Sequence, residues 1–187
     1  MDGRDVAYID VDAVMVHPSA GFLPELNRLK GTHYKPSDIT TFNYRDCFPR
    51  EHAEILEEMW TNPTLYDSMR PDVGVTTAIR KMRRFARVVA LSSPTVGHID
   101  SKFRFLSRPP LLFAVNNIII ARDKSIMRGA VLIDDNIDNL LNFDGARICF
   151  SRPWNEAWST TLGYRTDNWK EIVEIVGGVI VKNTHGS

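Results

Sequence analysis

Asp10 and Asp12 close the run Val6-Ala7-Tyr8-Ile9-Asp10-Val11-Asp12-Ala13-Val14. The apolar residues before them read as a buried parallel strand. The pair therefore falls where that strand leaves its sheet, the edge at which open α/β sheets bind ligands. Two residues apart on a regular strand, both side chains face the same way. Like charges held that close repel, so the site must supply a cation or raise one of the two pKa values. Mg²⁺ meets the first need, as a hard ion bound through one or two carboxylates together with phosphate and water. A solvated pair of strand-end acids is the competing reading of these two residues taken alone.

Three further apolar runs end in residues of related chemistry. Arg87-Val88-Val89-Ala90-Leu91 leads into Ser92-Ser93-Pro94, and Asn117-Ile118-Ile119-Ile120-Ala121 into Arg122-Asp123-Lys124-Ser125. Ala130-Val131-Leu132-Ile133 leads into Asp134-Asp135-Asn136. A serine after a strand is usually a helix cap, and a loop lysine is usually solvated. Asp-x-Asp, Ser, Lys and Asp-Asp in that order, at successive strand ends, make a far more specific pattern.

That order resembles the haloacid dehalogenase superfamily of phosphotransferases, and within it the 5′(3′)-deoxyribonucleotidases and cytosolic type C 5′-nucleotidases. Further matching residues are Gly21-Phe22-Leu23 and Pro153-Trp154-Asn155, and Lys124 precedes Asp134 by the family's ten residues. The resemblance implies a Mg²⁺-dependent phosphomonoesterase that hydrolyses (deoxy)nucleoside monophosphates through an aspartyl phosphate. Asp10 would be the nucleophile and Asp12 the general acid and base. Mg²⁺ would be held by Asp10, the main-chain carbonyl of Asp12, and Asp134, with Asp135 in or near the second rank of ligands. Ser92, which the resemblance favours as the motif residue, or else Ser93, would bind the phosphoryl oxygens together with Lys124. Lys102 matches a second phosphate-binding lysine only after a three-residue shortening, and an ordinary solvated helix lysine is the alternative. Phe22, Phe42 and Tyr44 could stack a base or simply pack a core. Trp154 could likewise lie beside the site or pack. Ala13 stands where the family usually has Gly, and His17-Pro18 where it has an aromatic that stacks on a pyrimidine, so the preferred base stays open. Other readings are a phosphatase of another small ester and a non-catalytic phosphate-binding module.

The elements that must position these residues follow from pattern. The segment from about 16 to 70 has a convincing helix at Glu51–Trp60 and a shorter one at Gly21–Leu29, interrupted by Pro24. It reads as a small helical cap inserted after the first strand, with 1–15 and 71–187 forming the catalytic core. After Pro71, helical stretches at Val73–Phe85, His98–Leu106 and Asn168–Val176 alternate with strands near 87–91, 117–121, 129–133 and 146–150. That alternation predicts a doubly wound, Rossmann-like parallel sheet. Gly177–Ser187 reads as a short apolar stretch and a disordered tail. His17, His33, His52 and His98 share no metal spacing and read as surface or packing residues.

Composition sets limits. The 187 residues can bury one good core. Lys plus Arg equals Asp plus Glu at 23 each, so there is no broad positive field for a nucleic acid polymer. No run spans a membrane, no secretory signal is evident, and Cys47 and Cys149 fit no metal spacing. A reduced, cytoplasmic setting is expected, with a nucleoside monophosphate as the partner and a homodimer left open.

Overall fold

A computed structural model describes residues 5–93 and 97–185, so Pro94 of the serine motif lies outside the described residues. Six parallel strands form one sheet in the order β3-β2-β1-β4-β5-β6. They are β1 (Val6–Ile9), β2 (Arg87–Ser92), β3 (Ile118–Ile120), β4 (Arg128–Asp134), β5 (Asp144–Phe150) and β6 (Tyr164–Thr166). The chain builds outward from β1 to β3 and then returns to lay β4 against the other side of β1, pairing Ile9 with Ile133. The direction of winding reverses between β1 and β4, and in such sheets that crevice is the ligand site.

The alternation of side chains across the sheet divides the apolar residues into two clusters. Ala7, Ile9, Val88, Ala90, Val131, Ile133, Ile148 and Phe150 point one way. There they meet Val75, Ala78, Ile79 and Met82 of α3 (Val75–Met82) and Ile172, Val176 and Ile180 of α6 (Trp169–His185). Val6, Tyr8, Val89, Leu91, Leu132 and Cys149 point the other way, against Leu140, Phe143 and Trp158. A sheet buried on both faces explains why its strands read as continuous apolar runs.

Between β1 and α3 the chain forms α1 (Ser19–Lys30) and α2 (Arg50–Trp60). These helices enclose a separate cluster of Phe22, Leu23, Leu26, Ile39, Phe48 and Leu56. The expected interruption of α1 at Pro24 does not occur. Proline forfeits one main-chain hydrogen bond there, but the buried stripe Phe22, Leu23 and Leu26 holds the helix continuous as far as Gly31, whose positive φ of 63° ends it. Leu65, Tyr66 and Met69, which follow α2, pack with the sheet's large cluster instead. α4 (Ile99–Ser107) follows β2, and the five-residue α5 (Ile137–Leu141) follows β4.

Two expectations need correction. The segment after Val176, expected to be a short apolar stretch and then a disordered tail, continues as helix to His185, because Ile180 extends the buried stripe of Ile172 and Val176 by one more turn at four-residue spacing. β6 and α5 are additional elements, too short for periodicity to reveal. Among the described residues no helix is long and apolar enough to cross a membrane.

The α6 stripe gives a direct test. Ile172→Ala should lower stability by about 2–5 kcal/mol, the usual range for a buried isoleucine truncated to alanine. Ile180→Ala should cost about 2 kcal/mol, the low end of that range. Urea unfolding with unchanged m-value checks both.

Candidate active site

The floor of the site is built from strand ends. Asp10 is the first residue past β1, its main-chain N–H still bonded to the Ile133 carbonyl at 2.9 Å. Asp134 ends β4, the adjacent strand. Lys124 reaches in from the loop after β3 and donates to Asp10 Oδ1 at 2.6 Å and Asp134 Oδ2 at 2.7 Å. All three are buried. Asp134 is held further by the Asn136 N–H at 2.9 Å and by the Asn139 amide of α5. Asp135 is also buried. Its Oδ2 accepts from the Trp154 indole at 2.9 Å, and its carbonyl from the Asn155 amide at 2.9 Å. The 153–155 loop therefore abuts the site, as the resemblance allowed.

Asp12 is oriented differently from the regular-strand expectation, because the strand ends at Ile9 and the chain turns. Ala13 has φ of 58°, a left-handed conformation that costs a residue with a Cβ about 1–2 kcal/mol. The turn closes with the Ala13 N–H on the Val16 carbonyl at 2.8 Å, and Arg152 Nε donates to the Ala13 carbonyl at 2.6 Å. Asp12 acquires its own lysine. Lys102 Nζ lies 2.6 Å from Asp12 Oδ2 and 3.0 Å from Ser92 Oγ. The solvated-lysine reading of Lys102 is thereby corrected: it is buried, because α4 carries it directly beneath the aspartate. Tyr66 donates to the other oxygen of Asp12.

The charges do not balance around Asp10. One ligand atom each from Asp10, Asp134 and Asp135 lies within 4.8 Å of the others, all buried, and Lys124 is the cation bonded to this group. Burial and the repulsion of Asp134 and Asp12 raise the Asp10 carboxyl to about 7 despite Lys124. Asp135 is pushed well above the usual carboxylate range by burial, then by Asp134 and Asp10. Three hard oxygen donors with two uncompensated charges fit a divalent ion such as Mg²⁺. Asp12 differs: burial would raise its pKa, but Lys102 and Tyr66 outweigh that and hold it low. Its carboxylate stands outside the triad, and Asp135 stands inside it.

Above this floor opens a pocket of about 610 Å³, roofed by the α1–α2 segment. Phe22, Phe42 and Tyr44 all line it. Phe42 is exposed, whereas Phe22 is buried beneath Tyr44 at 5.6 Å between ring centres and belongs chiefly to the small core. Ser93 lines the pocket, while Ser92 lies buried under it on Lys102. Sequence reasoning missed Tyr66 and Arg152, which no periodicity or motif singles out, and placed Trp60 only on the apolar stripe of its helix, whereas it also lines the pocket. It also read His17 as surface or packing. His17 lines the pocket with Nδ1 2.6 Å from Ser19 Oγ. Burial and then Arg152 lower its pKa to about 4, so its ring is neutral near pH 7. His98 and His52 are packed, and His33 is exposed.

The family model described as "5′ nucleotidase, deoxy (Pyrimidine), cytosolic type C protein" matches residues 4–184. A 5′(3′)-deoxyribonucleotidase of Bacillus subtilis (strain 168) is 22% identical over 172 residues, covering 90% of this chain and 96% of the relative. One from Clostridium acetobutylicum is 21% identical over 163 residues, covering 87% and 89%. A haloacid dehalogenase-like family hydrolase of Streptococcus pneumoniae superposes with a TM-score of 0.62 at 9% identity, over 94% of this chain and 99% of that one. One from Xanthomonas campestris gives 0.56 at 9% identity, over 96% and 97%. These structural likenesses concern the fold.

The buried triad predicts a pH-dependent response to metal. An unfolded aspartate titrates near ~3.9, so between there and about 7 the metal-free fold holds a proton on Asp10 that the unfolded chain has released. This group therefore favours folding at low pH, and its contribution falls as pH rises toward 7. A divalent ion competes with that proton. Added Mg²⁺ should accordingly raise the melting temperature more at pH 8 than at pH 5.5, and an equal shift at both would disprove the competition.

Proposed function

The chain belongs to the 5′ nucleotidase, deoxy (Pyrimidine), cytosolic type C family, and on that premise we propose that it is a Mg²⁺-dependent hydrolase of (deoxy)nucleoside monophosphates. A nucleotide phosphomonoesterase of haloacid dehalogenase type is the activity class that membership carries. The finer reading rests on one observation: Asp10 stands at the floor of the pocket, at the β1–β4 switch point, ion-paired to Lys124 and grouped with Asp134 and Asp135.

Hydrolysis of a phosphate monoester is among the slowest reactions enzymes accelerate. Asp10 attacks phosphorus and forms an aspartyl phosphate as the bond to the sugar oxygen breaks. Asp12, ionised in the free site, must first take up a proton; it then delivers that proton to the departing oxygen and accepts one from the water that attacks the phosphoryl group. Lys124 and Lys102, with the Ser93 hydroxyl nearest the pocket and Ser92 behind it, neutralise and orient the phosphoryl oxygens. Asp10, Asp134, Asp135 and the Asp12 carbonyl would hold Mg²⁺, which supplies charge neutralisation to the phosphoryl group when bound. The helical segment from about 16 to 70 acts as a cap that excludes bulk water and contacts the nucleoside. Phe42 and Tyr44 offer ring faces there, and Asn43 and Arg45 offer hydrogen-bond donors.

Asp10→Asn should lose at least ~4 kcal/mol of barrier lowering, about a thousandfold in rate, and excess chelator should abolish turnover until Mg²⁺ is restored. Phosphate release from a panel of nucleoside monophosphates measures both. Full turnover by Asp10→Asn, or in excess chelator, would remove the mechanism.

Selectivity should sit in the cap, because the groups on the floor reach only the phosphate and its ester oxygen. Phe42→Ala or Tyr44→Ala should raise KM or reorder the nucleotides while changing turnover of para-nitrophenyl phosphate little. If the ranking stays fixed and the wild type shows no preference for nucleotides over simple esters, the protein is a general small-ester phosphatase instead.

A further inference from the structure

We propose that Tyr66 is a positioning residue for the acid–base carboxylate, so that the segment inserted after β1 helps set the geometry of the chemical step. This rests on the reading of Asp12 as general acid and base. Each oxygen of Asp12 has its own donor: the Tyr66 hydroxyl on Oδ1 and the Lys102 ammonium, at 2.6 Å, on Oδ2. The carboxyl group cannot turn about its last bond without giving up one of them. A lysine alone would leave that rotation open, since an ammonium on a flexible stem follows the oxygen it pairs with.

Tyr66 is itself fixed. It is fully buried, with its ring between His98 at 5.1 Å and Phe105 at 5.8 Å. The Lys102 ammonium lies 5.2 Å from the centre of the same ring. The Arg108 guanidinium donates to the Tyr66 carbonyl at 2.9 Å, and the Tyr66 N–H donates to Ser101 Oγ at 3.5 Å. His98 is anchored in turn, its Nδ1 2.5 Å from the Trp60 carbonyl and its ring edge-on to Trp60 at 5.1 Å.

Packing alone does not account for the hydroxyl. Phenylalanine would fill the same volume with no polar atom to satisfy, and a buried phenol needs a partner. The partner here is Asp12. Proton transfer requires the acid within hydrogen-bond reach of the ester oxygen, and misplacement by about 1 Å can cost ~100-fold. A rigid tyrosine donor on Oδ1 aims the carboxyl group at that oxygen.

Tyr66→Phe removes only the hydroxyl. Its kcat and KM should be measured on a nucleoside monophosphate, whose leaving group needs a proton, and on para-nitrophenyl phosphate, whose leaving group departs almost unaided. Asp12→Asn should be run beside it, with thermal melting of both variants. The expected result is a fall in kcat of about tenfold or more on the nucleotide with little change in KM, a part of the ~100- to 10,000-fold typical of acid–base catalysis. The loss on para-nitrophenyl phosphate should be several-fold smaller, and Asp12→Asn should show the same selectivity more deeply. If Tyr66→Phe loses equally on both esters, or loses nothing on the nucleotide, while Asp12→Asn keeps its selectivity, Tyr66 only packs and the reading of Asp12 stands. If Asp12→Asn shows no leaving-group selectivity, the acid–base reading itself falls, and this proposal with it.

Discussion

Lys124 lies between Asp10 and Asp134, 2.6 and 2.7 Å from their oxygens and almost wholly out of water. Burying a single unpaired carboxylate costs several kcal/mol, so without this ammonium the ends of β1 and β4 could not lie side by side as they do. The pairing is incomplete by design of the chain's own composition. Asp135 has an indole N–H and, among the described residues, no cation bonded to it, and it shares the same few ångströms with the other two. The remaining negative charge is the property that a divalent ion and a phosphoryl group can exploit. In the bare protein it is a source of instability, and burial together with that repulsion raises the pKa values of Asp10 and Asp135 above the usual carboxylate range.

The scaffold answers that tension by over-determining the backbone around it. Ala13 occupies a left-handed conformation that glycine would take without strain. It is kept there from three directions: its N–H on Val16, its carbonyl under Arg152, and the Met15 carbonyl bonded to the Asp72 N–H at 2.9 Å. Asp72 also accepts from the His17 N–H at 3.4 Å and faces Arg152 at 3.8 Å. The turn after β1 is thus clamped between the start of α3 and the loop after β5. Strain of this kind persists only where the surroundings enforce it. The methyl group that departs from the family's usual glycine is accommodated by these contacts.

Much of this was legible because strand ends leave a mark in sequence. A run such as Ala130-Val131-Leu132-Ile133 announces a buried strand, and the acids that follow it must then sit at the sheet's edge. Asp10, Asp134 and Lys124 could be gathered by that logic alone. Tyr66 and Arg152 could not, because each reaches the site through folding of distant chain, 54 residues from Asp12 and 139 from Ala13 respectively. Lys102 stood between the two cases: its place on a helix was readable, but not the face of α4 turned toward Asp12. The C-terminal turns of α6 were obscured by Gly177-Gly178, whose weak helix propensity hid the buried stripe that Ile180 continues.

One close approach limits how such a protein can diversify. Gly97 has φ of 106°, and a Cβ there would lie 2.2 Å from the Thr61 carbonyl oxygen. The end of α2 is therefore seated directly on the turn before α4, the helix that carries Lys102. The pocket's roof is joined to its floor at this point by main chain against main chain, with no side chain between them to absorb a change of length or angle. Substitution at the exposed Phe42 disturbs little of the core, whereas its neighbours Ile39, Tyr44 and Phe48 pack into the small cluster beneath. A graft that replaced the whole insertion would have to reproduce the stretch from Trp60 to Tyr66 in register, or leave the chemistry it was meant to redirect without its frame. New specificities should arise by drift at the tip of the roof, while its rear edge is inherited together with the catalytic core.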